Sequence, residues 1–68
     1  MLKEEHHEEA GIQFELAANF YKKAQEYHHL GEYEKSALEV QKAQAHHKRA
    51  QFHTNEVQKL NNIINSII

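Results

Sequence analysis

The sequence predicts an all-α protein, an antiparallel two-helix hairpin that associates into a homodimeric four-helix bundle. Three observations carry the prediction. The 68 residues include no Pro, only two Gly and an abundance of Ala, Glu, Lys, Gln and Leu, residues that lose little side-chain freedom in a helix. Apolar residues recur at alternating spacings of three and four through both halves, the pattern of a helix packed lengthwise on others. Between the halves stands Leu30-Gly31-Glu32, where glycine can take the left-handed conformation that ends a helix. The chain reads as one domain over 1–68, with a helix over about 3–29, a turn at 30–32 and a helix over about 33–66.

In the first helix the repeating positions are His7, Ala10, Phe14, Ala17, Tyr21, Ala24 and His28, and Leu2, Leu16, Phe20 and Tyr27 widen the stripe. Glu8, Glu15, Asn19, Lys22 and Glu26 fall on the opposite face, as solvent requires. Glu4, Glu5, Glu8 and Glu9 favour the helix start, because acids stabilise the positive end of the helix dipole. Gly11 works against them, at about 1 kcal/mol relative to Ala.

After the corner, a connection of two to five residues makes the helices antiparallel neighbours. The second helix repeats the seam with Ser36, Val40, Ala43, His47, Ala50, Thr54, Val57, Asn61, Ile64 and Ile68. A further row, Leu38, Ala45 and Phe52, lies roughly opposite Val40 and Ala43 and continues through Leu60, Ile63 and Ile67. One partner helix cannot cover both rows. A chain this short buries only about 60% of its unfolded surface, and the absence of Cys removes disulfides and thiolate metal sites as supplements. Association of two hairpins is therefore expected, along a dimer and core seam of Phe14, Tyr21, His28, Val40, His47, Phe52, Val57 and Ile64. The Ile-rich C-terminus, "NNIINSII", reads as a turn buried on a partner chain or as a docking surface for another protein.

Several activities lose their usual materials. There is no Asp and no Cys, and Ser36 and Ser66 have no nucleophile context of the recognised kinds. Neither Gly belongs to a phosphate or dinucleotide loop. With a net charge of −2 there is no strong field for nucleic acid or anionic membrane. No apolar run approaches the roughly 20 residues that span a bilayer, and the acidic N-terminus is unlike a secretory signal. The expectation is a cytoplasmic, non-enzymatic protein that acts by self-association and protein binding.

Two other functions are open at this point. Seven histidines, six of them in the doublets 6–7, 28–29 and 46–47, suggest transition-metal binding. Glu4-x-x-His7 and Glu26-x-x-His29 have the one-turn spacing used in di-metal bundles. Folding the hairpin about Gly31 brings His53 near Glu9 and within a turn of His6, so His6, Glu9, His53 and Glu56 make a mixed nitrogen and oxygen set suited to zinc or nickel. A histidine on the seam of a self-associating bundle, here His28 or His47, can also act as a pH switch. The third reading is RNA binding through Lys48 and Arg49, the basic pair of "AHHKRAQFH" at 45–53. Two firm charges are a weak footprint, so nucleic acid is not the expected partner.

Around the corner, Phe20, Ala24, Tyr27, Gly31, Tyr33, Ser36, Val40 and Ala43 stand at spacings that resemble a tetratricopeptide-repeat unit, over about 24 residues of a single copy without the closing Pro. The resemblance implies shared helix-hairpin packing. Over nearly the whole chain, "EEHHEEA" (4–10), "EYHHLGEYEKSAL" (26–38) and "QAHHKRAQFHTNE" (44–56) resemble the corresponding stretches of a group of small His-rich bacterial proteins of uncharacterised function. That resemblance implies helical architecture and a bacterial source, and supplies no activity.

Overall fold

The structure, a computed structural model, describes residues 1–67 and side chains as far as Asn65. Two helices pack against each other: α1 spans Lys3–His29 and α2 spans Tyr33–Ile67. They form a rod of about 56 × 15 × 15 Å. Among the described residues no helix is long and apolar enough to cross a membrane. Ser66, Ile67 and Ile68, named above for the C-terminal turn, lie outside the described side chains.

Each helix end follows from its sequence. Leu2 precedes α1 without a side-chain cap, and Glu4 and Glu5 occupy the first turn, where their charge offsets the unpaired N–H groups. At the other end Gly31 takes φ 76°. Its N–H donates to the His28 carbonyl at 3.0 Å, and the Glu32 N–H reaches back to the Tyr27 carbonyl at 2.9 Å. This pair of bonds is the Schellman closure, and it uses carbonyls that would otherwise be orphaned at the helix end. Glu32 then opens α2, its carbonyl accepting from the Ser36 N–H at 3.0 Å and its carboxylate from Lys35 Nζ at 3.3 Å.

The hydrophobic core is small. Among the described residues it consists of Ala10, Ala17, Ala24, Ala43, Ala50 and Val57, with Ala43 and Ala50 at 0% exposure, and no large side chain is fully buried. Within each helix these residues recur every seven positions, so they form one column along the contact. Alanine lets two helices approach to the lower end of the usual range, about 8 Å between axes. Aromatic rings flank this column, as Phe20 and Tyr27 do, half-buried.

Within the single hairpin, the inward side of α1 differs from the expected seam. Ala10, Ala17 and Ala24 are inside, but Phe14 and Tyr21 are 44% and 42% exposed, and His7 and His28 are exposed as well. The column that does accompany the alanines is one position earlier: His6, buried, and Gln13, Phe20 and Tyr27, half-buried. On α2, Val57 is buried and Val40 and His47 are half-buried, whereas Phe52 and Ile64 are 55% and 49% exposed. Thr54 turns back on its own helix, its hydroxyl donating to the Ala50 carbonyl at 2.9 Å. The companion column of α2 is Glu39, His46, His53 and Leu60, buried or half-buried at every position.

The helices are also unequal. His53 is opposite His6, so α1 runs out near residue 57 of α2. About ten residues of α2 continue alone, roughly 15 Å of helix, with Ile63 and Ile64 exposed on them.

Candidate functional site

The polar side chains in the contact are arranged as rungs. At the open end His6 Nδ1 and His53 Nδ1 are 2.9 Å apart. One nitrogen carries the hydrogen and the other accepts it, which fixes the two rings in different tautomers. The rings are 5.2 Å apart and tilted by 44°, and Phe52 packs edge-on against both, at 6.4 Å from His6 and 5.1 Å from His53. Seven residues further along each helix, His46 Nδ1 meets Gln13 Oε1 at 2.6 Å. This contact makes His46 the donor. Its ring lies flat on Phe20, 5.4 Å away and 7° from parallel.

The next rung is Glu39. It is buried, Oε1 accepts from Lys42 Nζ at 3.2 Å, and Oε2 is buried without a hydrogen-bond partner. Lys42 also lies 5.7 Å from the Phe20 ring, so its ammonium group is shared between a carboxylate and an aromatic face. Near the corner the Ser36 hydroxyl donates to the Ala24 carbonyl at 2.7 Å.

Of the four residues expected to hold a metal, the structure joins two, His6 and His53. Folding about Gly31 predicted His53 beside Glu9. It stands beside His6 instead, three residues earlier, because the Schellman closure centres the reversal on Leu30. Glu9 and Glu56 are half-buried one turn from the two imidazoles, and Glu56 pairs with Lys59 at 3.2 Å. Among the described residues no group of three or more His, Cys, Asp or Glu is gathered as a metal site. The His doublets divide between faces, since neighbouring residues on a helix do not face each other: His6 is buried while His7 is exposed, and both His28 and His29 are exposed. His28 makes an edge contact with Tyr33 at 5.0 Å. Lys48 and Arg49 are exposed.

A second feature is the distribution of charge around the rod. Phe14 meets His47 edge-on at 5.8 Å, which puts the row of Phe14, Tyr21 and His28 on the same side as Val40, His47 and Asn61. Flanking them at helical spacing are Gly11, Ala18 and Gln25 on α1 and Ala37, Gln44, Gln51 and Gln58 on α2, all exposed. None of these positions is Asp, Glu, Lys or Arg. A shallow depression between the two helices, lined by Tyr21, Gln44, His47, Lys48 and Gln51, runs along this side. The ion pairs Glu32–Lys35, Glu39–Lys42 and Glu56–Lys59 lie elsewhere on the surface.

Reading the sequence by hydrophobicity missed the polar rungs. A signal was present: His6, Gln13, His46 and His53 stand at constant offsets from alanines that themselves recur every seven residues. Comparison with known protein families, curated proteins and solved structures finds no match to this chain.

Proposed function

We propose that the chain is a non-enzymatic interaction protein whose working form is a homodimeric four-helix bundle, two hairpins packed through the side that carries Phe14, Tyr21 and Val40. The scarcity of charge on that side, where Lys48 stands at the edge of the depression, carries this reading. A two-fold interface sets the same patch on both sides, so any net charge the patch carries meets its like, whereas Phe14, Tyr21, Val40 and the small residues Gly11, Ala18 and Ala37 offer packing without repulsion.

Surface area supports the same conclusion. A folded monomer of 8.0 kDa exposes about 4,450 Å² by general scaling, and this hairpin exposes 5289 Å². The excess is close to the roughly 800 Å² that each partner contributes to a standard interface. A core of five alanines and a valine also leaves little apolar burial within one chain. The free end of α2, with Ile63 and Ile64 exposed, extends the surface available to a second copy or another protein. The non-enzymatic reading is supported by the absence of Asp and Cys and by the commitment of the Ser36 hydroxyl to a backbone carbonyl.

The test is solution mass by light scattering on a size-exclusion column. The expected result is twice 8.0 kDa for the natural chain and a helical monomer for Tyr21→Glu, which would bury a carboxylate in the interface. A natural chain that is monomeric with full helicity would overturn the proposal.

A further inference from the structure

We propose that the two hairpins of the dimer lie parallel, with both corners at one end and both free tails of α2 at the other, so that α1 of each copy packs on α2 of the second copy. The inference rests on the dimer proposed above and adds its arrangement. Two rotations can join the shared side to itself. An axis along the rod sets α1 over α2 and keeps every residue level with its own copy. An axis across the rod sets α1 over α1 and α2 over α2, with the corners at opposite ends.

Charge separates the two arrangements. Residues 4–21 of α1 include Glu4, Glu5, Glu8, Glu9 and Glu15 and no Lys or Arg. Residues 40–55 of α2 include Lys42, Lys48 and Arg49 and no Asp or Glu. These segments lie side by side in the hairpin, yet none of the ion pairs among the described residues joins α1 to α2. At the edges of the shared side, at helical spacing, stand Glu8, Glu15 and Lys22 on α1 and Glu34 and Lys48 on α2, all exposed. The pairing of His6 with His53 and of Ala24 with Ser36 makes position 48 level with position 11 and position 34 level with position 25. With the axis along the rod, Lys48 therefore stands between Glu8 and Glu15 of the second copy, and Glu34 stands within a turn of its Lys22. With the axis across the rod, Glu8 gains Lys22, but Glu15 comes against its own copy and Lys48 and Glu34 meet no opposite charge on their edge. Charges that flank a helical seam in this way select its orientation.

The tails give an independent reason. Past Val57, α2 has no partner in its own hairpin. Parallel hairpins bring both tails out of the same end, where Val57, Asn61 and Ile64 follow at spacings of four and three, the seam of a parallel two-stranded coil. A lone Asn in such a seam fixes register and strand number. Lys59 is the one charged residue over 57–65 and is paired with Glu56, so the tails meet without repulsion. Crossed hairpins would leave each tail alone, with Ile63 and Ile64 exposed.

The experiment is double electron–electron resonance on the full chain, which has no natural Cys, spin-labelled in separate variants at Leu38→Cys and Asn65→Cys. Both positions are exposed. Parallel hairpins should hold each label within about 35 Å of its copy, across a bundle of neighbouring axes about 10 Å apart. Crossed hairpins would separate the labels at position 65 by about 60 Å, a result that overturns the arrangement and leaves the dimer standing. Light scattering on the same samples reads the dimer itself, and a monomer there overturns both. Lys48→Glu should raise the dissociation constant about tenfold at low salt, and adding Glu8→Lys and Glu15→Lys to the same chain should restore it. A dissociation constant unchanged by Lys48→Glu at low salt would also overturn the proposal.

Discussion

The hydroxyl of Ser36 donates to the carbonyl of Ala24 across the contact, 2.7 Å from oxygen to oxygen. It is a hydrogen bond between the helices near the corner, and it places the first turn of α2 against the last third of α1. A half-buried hydroxyl in such a bond contributes about 1 kcal/mol net. Ser36→Ala should lower the unfolding free energy by that much, read as a lower urea midpoint at an unchanged m-value.

The alanine column sets the spacing of the helices, so enlarging it should be costly. Ala43→Leu or Ala50→Leu inserts three carbons where exposure is 0% and should destabilise the hairpin by about 1–3 kcal/mol. Ala45→Leu, two residues away but exposed, should stay within about 0.5 kcal/mol of the natural chain. Equal effects at positions 43 and 45, measured by denaturant titration, would contradict the packing described.

The two glycines should respond in opposite directions to the same change. A Cβ at either one meets nothing within 4 Å, so packing plays no part within the hairpin. Gly31 sits at φ 76°, where an L-residue costs about 1–2 kcal/mol, and Gly31→Ala should lower Tm. Gly11 is in the interior of α1, where alanine is favoured by about 1 kcal/mol, and Gly11→Ala should raise Tm by about 4–8 °C.

The rung between His6 and His53 should be visible as coupling. In metal-free buffer, His6→Ala and His53→Ala each leave the other imidazole without its partner, so the double variant should cost less than the two single losses together. The expected interaction energy is about 0.5–1.5 kcal/mol. The same cycle on His6 and His29, which lies far away in the last turn of α1, should give none.

Much of the fold class was legible in the sequence. Helical composition, the seven-residue recurrence of Ala10, Ala17 and Ala24, and a lone glycine between two periodic segments are local signals with direct physical causes. Of the second column on α1, Phe20 and Tyr27 were legible as residues that widen the apolar stripe, but His6 and Gln13 were not legible by the same means. Phe14 and Tyr21 outrank His6 and Gln13 on any hydrophobic scale, yet the polar pair lies inward. His6 and Gln13 lie inward because they find hydrogen-bond partners on the other helix, 47 and 33 residues away. Local periodicity carries no record of such partners. The three-residue error in the position of His53 has a similar origin, since it depends on how the carbonyls at the end of α1 are closed and not on where Gly31 falls in the string.

The alanine contact has a weakness that the rungs correct. Its pattern repeats every seven residues, so a helix displaced by one heptad would again set alanine on alanine, and apolar burial alone would scarcely distinguish the two alignments. Displaced one way, Gln13 would face Glu39 and His6 would face His46, but His53 would pass beyond the start of α1 and lose its partner. Displaced the other way, His6 would face Leu60 and His46 would face Phe20, and both would lose their hydrogen bonds. The histidines thus act as a ruler for the pair of helices, and the alignment observed is the one that leaves none of His6, His46 and His53 without a match.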